Sequence, residues 1–191
     1  MRFDYSSFAT DGVLASAQLG KKVFGALASE IAASSATTLL YLDFQSVQVA
    51  TTSFLREAVF TVRNHVRQNL TNIYPVAANL SAEIKEELGL FLRERGDAMA
   101  TCNVNADEEA SDPEVIGQLD GKLLMTLSAV LQANETDATT LVEQFADDER
   151  VGITAWNNRL AALAMKGLLI ETIQGRAKRY RPVLENLKYG R

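Results

Sequence analysis

The N-terminal half of the chain alternates two hydrophobic periods, one typical of helices and one typical of buried strands. Between Ser16 and Ser34, apolar side chains recur every fourth residue, which predicts a helix with one apolar stripe. Thr38–Phe44 is a short apolar run, typical of a strand buried on both faces. Further helices are predicted at Ser53–Leu70 and Ser81–Arg95, and further strands at Asn72–Ala78 and Ala98–Val104. This alternation predicts an α/β layer structure.

The C-terminal half has a helical period followed by two β-like runs. Helices are predicted at Gly121–Ala133, Asp137–Asp147 and Thr154–Lys166. Leu168–Ile173 and Arg179–Val183 flank a basic turn that contains a glycine, and this pattern predicts a β-hairpin.

The segment between the two halves, Asn105–Gln118, is acidic and lacks an apolar period. It also contains Pro113 and Gly117. Such a stretch buries too little apolar surface to offset its ordering entropy, so we predict a linker. The predicted domains are therefore residues 1–104 and 119–191.

The overall composition excludes several classes of protein. Apolar residues make up 47% of the chain and charged residues 23%, which excludes disorder as the main state. No uncharged apolar run approaches about 18 residues, and the N-terminus lacks the pattern of a signal peptide. One cysteine, Cys102, and one histidine, His65, exclude a disulfide and multi-histidine or multi-cysteine metal sites. We expect a cytoplasmic protein with no cofactor, no metal and no membrane partner.

Motifs for catalysis are sparse. The sequence has no Gly-x-x-x-x-Gly-Lys loop for phosphates and no histidine pair. Among the carboxylates, Asp43 at the end of a predicted strand is the one that lies in a sequence motif. We expect its side chain to accept hydrogen bonds from backbone N–H groups or hydroxyls. We therefore predict no catalytic residues and a protein that is not an enzyme.

The net charge of −5 is unevenly distributed. Residues 1–110 hold 9 Lys and Arg against 13 Asp and Glu, a net of −4. Residues 111–150 hold 2 against 9, a net of −7, and residues 151–191 hold 8 against 2, a net of +6. This asymmetry predicts that the last segment has a partner distinct from that of the rest of the chain.

The strand around Leu42-Asp43-Phe44 and the helix start at Ser53-Phe54 carry a family resemblance. Both resemble a divergent branch of the STAS domain (sulfate transporter and anti-sigma-factor antagonist), and the order of elements agrees over residues 12–104. In the family signature, an apolar strand leads through an Asp-Ser-Ser-Gly turn into a helix. The resemblance implies an α/β domain that docks or senses a partner.

The turn itself aligns with the family signature residue by residue. Thr51 takes the aspartate position, Thr52 the position of the serine that a partner kinase phosphorylates, and Ser53 that of the second serine. Phe54 replaces the glycine. The resemblance implies a partner with a histidine-kinase-like ATPase or kinase fold. The residues alone leave three roles open, namely capping of a helix, a phosphorylated switch, or docking without phosphorylation.

The third C-terminal helix and the hairpin resemble a winged helix-turn-helix over about residues 120–184. The resemblance is carried by Ile153–Leu160, by the step Lys166-Gly167-Leu168-Leu169 into a strand, and by the basic turn with Gly175-Arg176 and Lys178-Arg179-Tyr180. It implies a small α+β domain after the STAS-like domain. Winged-helix regulators commonly bind paired half-sites, so a homodimer is also implied.

The resemblance places the third helix in the major groove of double-stranded DNA. Trp156 and Leu160 are expected in the core of the domain. The expected contacts to bases or phosphates are Thr154, Ala155, Asn157, Asn158, Lys166, Arg176, Lys178 and Arg179. The sequence thus predicts a DNA-binding transcriptional regulator. A protein–protein adaptor is the alternative, because winged helices also bind proteins and the acidic run Asp147–Glu149 would repel DNA.

Overall fold

Short, strongly apolar strands form the centre of the molecule, and helices join most of them. The computed structural model describes residues 1–31, 36–146, 151–175 and 177–189. The strands are β1 (Arg2–Asp4), β2 (Val13–Leu14), β3 (Thr38–Asp43), β4 (Val49–Ala50), β5 (Ile73–Ala78), β6 (Ala98–Val104), β7 (Ala110–Gly117), β8 (Leu169–Gln174), β9 (Ala177–Pro182) and β10 (Lys188–Tyr189). The helices are α1 (Ala17–Glu30), α2 (Thr52–Leu55), α3 (Thr61–Asn69), α4 (Ala82–Arg93), α5 (Gly121–Ala133), α6 (Ala138–Gln144) and α7 (Ile153–Met165).

The central sheet is mostly parallel. Its strand order within the described residues is β1-β3-β5-β6-β7-β10. The first four strands run parallel, β7 is antiparallel to β6, and β10 is parallel to β7. Strands β2 and β4 form a separate short pair, and β8 and β9 form a hairpin. The predicted α/β class is therefore confirmed.

Pro75 lies inside a central strand, although its missing donor predicts an edge or a bulge. Strand β5 is buried along its whole length and lies between β3 and β6. Its pairing with β6 involves Ala77 and Ala78 and leaves Pro75 outside the register. The sheet therefore accommodates the proline because no ladder bond to β6 is needed at that position.

Helices cover both faces of the sheet. On one face, α1, α3 and α4 bury a core that includes Leu27, Val62 and Leu88. On the other face, Tyr41 and Tyr74 of the sheet share a core with residues of the C-terminal half, including Leu127, Trp156, Leu160, Leu163 and Leu187. The C-terminal helices thus form the third layer of an α/β/α arrangement.

The segment Asn105–Gln118 differs from the predicted linker, because most of it forms strand β7. Val115 and Ile116 are buried, whereas residues 110–112 are exposed, so the apolar signal is too short to show in the sequence. Gly117 has a φ of +96°, and a Cβ there would lie 2.3 Å from the carbonyl oxygen of Asp97. The backbone at this position therefore requires glycine.

The C-terminal half has the predicted order of three helices and a hairpin. Helix α6 ends at Gln144, earlier than predicted. Asp147, the predicted last residue of this helix, lies outside the described residues. Thr136 adds an isolated antiparallel bridge to Tyr180 of β9. The tail after the hairpin returns to the central sheet, where β10 pairs with β7.

The helix predicted at Ser53–Leu70 is continuous but changes its winding. A π-helical segment, Arg56–Phe60, separates α2 from α3. The Tyr5 hydroxyl donates a hydrogen bond to the carbonyl of Ala58, and the Thr61 hydroxyl donates to the carbonyl of Arg56 at 2.9 Å. These bonds satisfy carbonyls within and at the start of the wider turn. Burial raises the pKa of Tyr5, so its hydroxyl stays a donor.

We expect Tyr5→Phe to lower the free energy of unfolding by about 1–3 kcal/mol, because the buried Ala58 carbonyl loses its donor. Urea unfolding followed by the fluorescence of Trp156 measures this change. Tyr41→Phe is the matched control, since the Tyr41 hydroxyl makes no hydrogen bond to another described residue. Equal losses of unfolding free energy in Tyr5→Phe and Tyr41→Phe would contradict the assigned hydrogen bond.

Candidate functional site

The N-terminal half of α7 presents a polar face to solvent. Thr154, Asn157 and Asn158 are exposed, and Ala155 is half-buried. Trp156 and Leu160 are fully buried, as predicted. The helix begins after Gly152 without a side-chain cap. Uncharged donors and acceptors are therefore available along this face.

A groove separates α6, α7 and the hairpin. Lys178 lines it together with Asn157 and Asn158, so the structure brings these three predicted contacts together. The Lys178 ammonium lies 2.8 Å from the Glu171 carboxylate and is about half exposed. Asp137, which caps α6, and Glu143 within α6 line the same groove. The groove therefore carries charges of both signs.

The other predicted hairpin cations do not join this cluster. Consecutive strand residues face opposite sides, so Arg179 points away from the face that carries Lys178. The Arg179 guanidinium lies 3.0 Å from the Glu135 carboxylate. Arg176 lies outside the described residues.

Lys166, predicted to contact phosphate, is placed elsewhere by the structure. Its ammonium donates to Asp97 Oδ1 at 2.6 Å, beside the central sheet. At about 1.5 Å of rise per residue, Lys166 lies about 18 Å along the helix axis from Thr154. We therefore correct this residue from a nucleic-acid contact to an internal ion pair.

The Asp97 clasp, formed by Arg63, Asp97 and Lys166, joins the two halves of the chain. Arg63 Nη2 donates to Asp97 Oδ2 at 2.5 Å, and Arg63 Nη1 donates to the Ala98 carbonyl at 2.8 Å. Burial alone would raise the pKa of Asp97, but the charges of Arg63 and Lys166 outweigh it and hold the pKa below its usual value. The carboxylate is thus charged and paired.

A second buried arginine, Arg67, makes a parallel connection. Its Nε donates to the Ala164 carbonyl of α7 at 3.1 Å, and its Nη1 donates to the carbonyls of Thr71 and Ile73. The guanidinium also lies 3.9 Å from the ring centre of Tyr74. The C-terminal end of α7 is therefore tied to α3 and β5.

The turn Thr51–Ser53, called the docking turn after one of its predicted roles, lies where the long helix begins. Thr51 accepts from the backbone N–H of Ser16 at 3.3 Å and lies 3.2 Å from the Ser53 hydroxyl. The Thr51 side chain makes no capping bond to the first turn. The expected helix start is present, whereas the Thr51 hydroxyl links the turn to α1 instead.

Thr52 is exposed, and its hydroxyl donates to the carboxylate of Glu87 on α4. Glu83 lines the same depression beside Val49. A phosphate on Thr52 would carry a charge of about −1.5 to −2 and would lie next to these carboxylates. The local charge therefore opposes phosphorylation and leaves helix capping and docking without phosphorylation as the open roles.

Other reactive side chains are already occupied or buried. Asp43 accepts from Asn79 Nδ2 at 2.7 Å and from the Gln45 backbone at 3.0 Å, and it pairs with Arg2. Burial raises the pKa of Cys102 to about 12, so its thiol is not ionised near neutral pH. Within the described residues, no group of three His, Cys, Asp or Glu side chains is arranged to hold a metal ion.

The burial of two arginines has no counterpart in the local sequence pattern. Arg63 and Arg67 lie four residues apart on the polar side of an amphipathic helix, a pattern typical of a solvated face. In the structure they are 2% and 3% exposed. Arg67 contacts Ala164 of α7, and Arg63 contacts Asp97 and Ala98, so the groups that bury both arginines are distant in sequence.

We expect Asp97→Asn to lower the free energy of unfolding by about 3–5 kcal/mol at neutral pH, because Arg63 is left buried without a counter-charge. The folded-state pKa of Asp97 lies below its unfolded value of about 3.9, so the stabilisation is present above that pH. The stabilisation is lost as the pH falls through the folded-state pKa of Asp97. Urea unfolding at a series of pH values measures both effects.

Asp107→Asn, at an exposed carboxylate, is the control for this pH series. The difference in stability between the parent protein and Asp97→Asn should narrow below about pH 4. A difference that stays constant with pH would contradict the ionised clasp.

We expect Thr52→Glu to be less stable than Thr52→Gln by about 0.5 kcal/mol at low ionic strength, because the new carboxylate faces Glu87. In a Glu87→Gln background this difference should shrink. Urea unfolding of Thr52→Glu and Thr52→Gln, each with and without Glu87→Gln, completes this double-mutant cycle. An unchanged difference would show that Glu87 does not set the charge of the turn.

No family model, no curated protein and no solved structure matches this chain. Within the described residues, no helix has the length and apolar character needed to cross a bilayer.

Proposed function

We propose that this protein is a non-catalytic regulator in which a STAS-like N-terminal part docks a protein partner and a winged-helix-like C-terminal part binds double-stranded DNA. The exposed polar face of α7 carries the proposal. Thr154, Asn157 and Asn158 share that face, and Lys178 lies beside it.

The chemistry of this face suits a duplex groove. An asparagine amide can donate to and accept from adenine in a bidentate pair. The face lies at the end of α7 remote from the Asp97 clasp, so the central sheet leaves it accessible. An α-helix with exposed polar residues in its first turns is the element that enters the major groove in such domains.

The ion pairs of the hairpin are compatible with phosphate binding. Lys178 and Arg179 are paired with Glu171 and Glu135 at the surface, where such pairs contribute about 0–1 kcal/mol. A phosphate can replace either carboxylate at low cost. If Lys178, Arg179 and, as the sequence predicts, Arg176 each neutralise one phosphate, the logarithm of the affinity should fall with the logarithm of salt with a slope of about −3.

The docking end offers a different surface. Val13 and Val49 are opposed in the short pair β2–β4, and both side chains are exposed. Val49 lines one depression together with the docking turn and the carboxylates of Glu83 and Glu87. A protein surface that combines apolar and basic side chains is complementary to this arrangement.

A protein–protein adaptor is the second candidate, and two isoleucines favour it. Ile153 is 49% exposed at the start of α7, and Ile173 is 74% exposed near the tip of the hairpin. Ile153 lines the groove that also contains Asp137 and Glu143, so an apolar contact there would lie beside acidic groups. In this alternative the basic tail meets an acidic protein.

We expect the purified protein to bind a random-sequence duplex at about 50 mM salt, measured by fluorescence anisotropy of labelled DNA. Asn157→Ala with Asn158→Ala should weaken binding to a preferred site by about 10-fold or more, because a bidentate base contact contributes about 1–3 kcal/mol. Changing Arg176, Lys178 and Arg179 to Ala should flatten the salt slope.

Gln68→Ala is the matched control, since this exposed amide lies on α3 in the opposite layer of the molecule. It should leave DNA affinity unchanged. If no binding appears at 50 mM salt, the DNA proposal fails and the adaptor takes its place.

A further inference from the structure

We propose that occupancy of the docking turn is coupled to the DNA-binding face of α7 through the helix Thr52–Asn69 and the Asp97 clasp. This inference rests on the proposed roles of the two surfaces and specifies how one regulates the other. Three sets of contacts carry it.

The first set joins the docking turn to the clasp within one helical element. The helix begins at Thr52 and carries Arg63 and Arg67 in its second half. About 11 residues separate Thr52 from Arg63, which corresponds to about 16 Å along the axis. A displacement at the turn therefore reaches both buried guanidinium groups through covalent, hydrogen-bonded structure.

The second set joins the guanidinium groups to α7 and the hairpin. Arg63 shares the Asp97 carboxylate with Lys166, and Arg67 donates to Ala164 in the last turn of α7. Arg67 also stacks on Tyr74, whose hydroxyl accepts from the Glu171 backbone of β8 at 3.0 Å. Glu171 in turn pairs with Lys178 in the DNA-facing groove.

The third set of contacts lies around a segment that gives the helix a second, discrete conformation. The π-helical segment Arg56–Phe60 lies between the docking turn and Arg63. Its conversion to α-helix would shift the register of one end against the other by one residue, about 1.5 Å in rise. The Tyr5 hydroxyl holds the Ala58 carbonyl in the present register. Coupling requires such a two-state element, whose equilibrium both surfaces can bias.

The experiment attaches a bulky chemical label to the docking turn and measures hydrogen exchange in the second half of α7 and in β8. In a Cys102→Ala background, Thr52→Cys provides one thiol at the exposed turn, which a bulky maleimide then modifies. Amide hydrogen exchange by mass spectrometry follows residues 160–174 with and without the label. We expect labelling to change exchange rates there at least threefold, and to change DNA affinity at least threefold.

Lys166→Met tests the path, because it cuts the link to α7 while the Arg63–Asp97 pair keeps the fold. In this variant the effect of the label on exchange rates should fall to less than half of the effect in the protein that retains Lys166. Arg67→Met tests the second branch in the same way. Lys122→Met, at an exposed lysine of α5, is the matched control and should keep the full effect.

Two results would overturn the coupling. One is an unchanged exchange pattern after labelling, and the other is an effect that persists in both Lys166→Met and Arg67→Met. If exchange responds as expected but the protein binds no DNA, the coupling stands and the proposed DNA function fails. The two hypotheses are therefore separated by their readouts.

Discussion

Two buried guanidinium groups constrain the arrangement of the layers in this protein. Arg63 and Arg67 are almost fully removed from solvent, and a buried charge must find a counter-charge or several acceptors. Their partners come from both halves of the chain, namely Asp97 and the Ala98 carbonyl near the sheet and the Ala164 carbonyl in α7. Separating the halves would remove the Ala164 acceptor from Arg67 and the Lys166 ammonium from Asp97, so the position of α7 is fixed by these polar contacts as well as by apolar packing.

This constraint bears on the linker predicted between residues 1–104 and 119–191. The C-terminal helices share an apolar core with one face of the central sheet, and the segment between the halves is itself a strand. Helix α7 is consequently held at one end and exposed at the other. Its C-terminal turn contacts the clasp, whereas Thr154, Asn157 and Asn158 face solvent. A ligand on this surface would therefore bind the free end of a helix whose other end contacts the clasp.

Local periodicity predicted most of the elements but few of the contacts between them. The burial of Trp156 and Leu160 follows from their spacing on α7 and is confirmed. Strand β7 was missed because just two adjacent residues, Val115 and Ile116, supply its buried apolar signal. The roles of Arg63 and Lys166 were missed because their partner, Asp97, is distant in sequence. Charge alone cannot distinguish a side chain that meets solvent from one that another layer covers.

Strand β10 has a consequence for the synthesis of the protein. It pairs with β7 across about 70 intervening residues, which take about 4–14 s to translate at 5–20 residues per second. During that interval one edge of β7 has no neighbour, and an open edge invites pairing with other chains. Pro113 lacks a donor and Asp112 has a φ of +49°, so the first half of this strand is a poor template. Open-edge pairing is thus disfavoured along the first half of β7, and β10 covers Glu114 and Val115 in its second half.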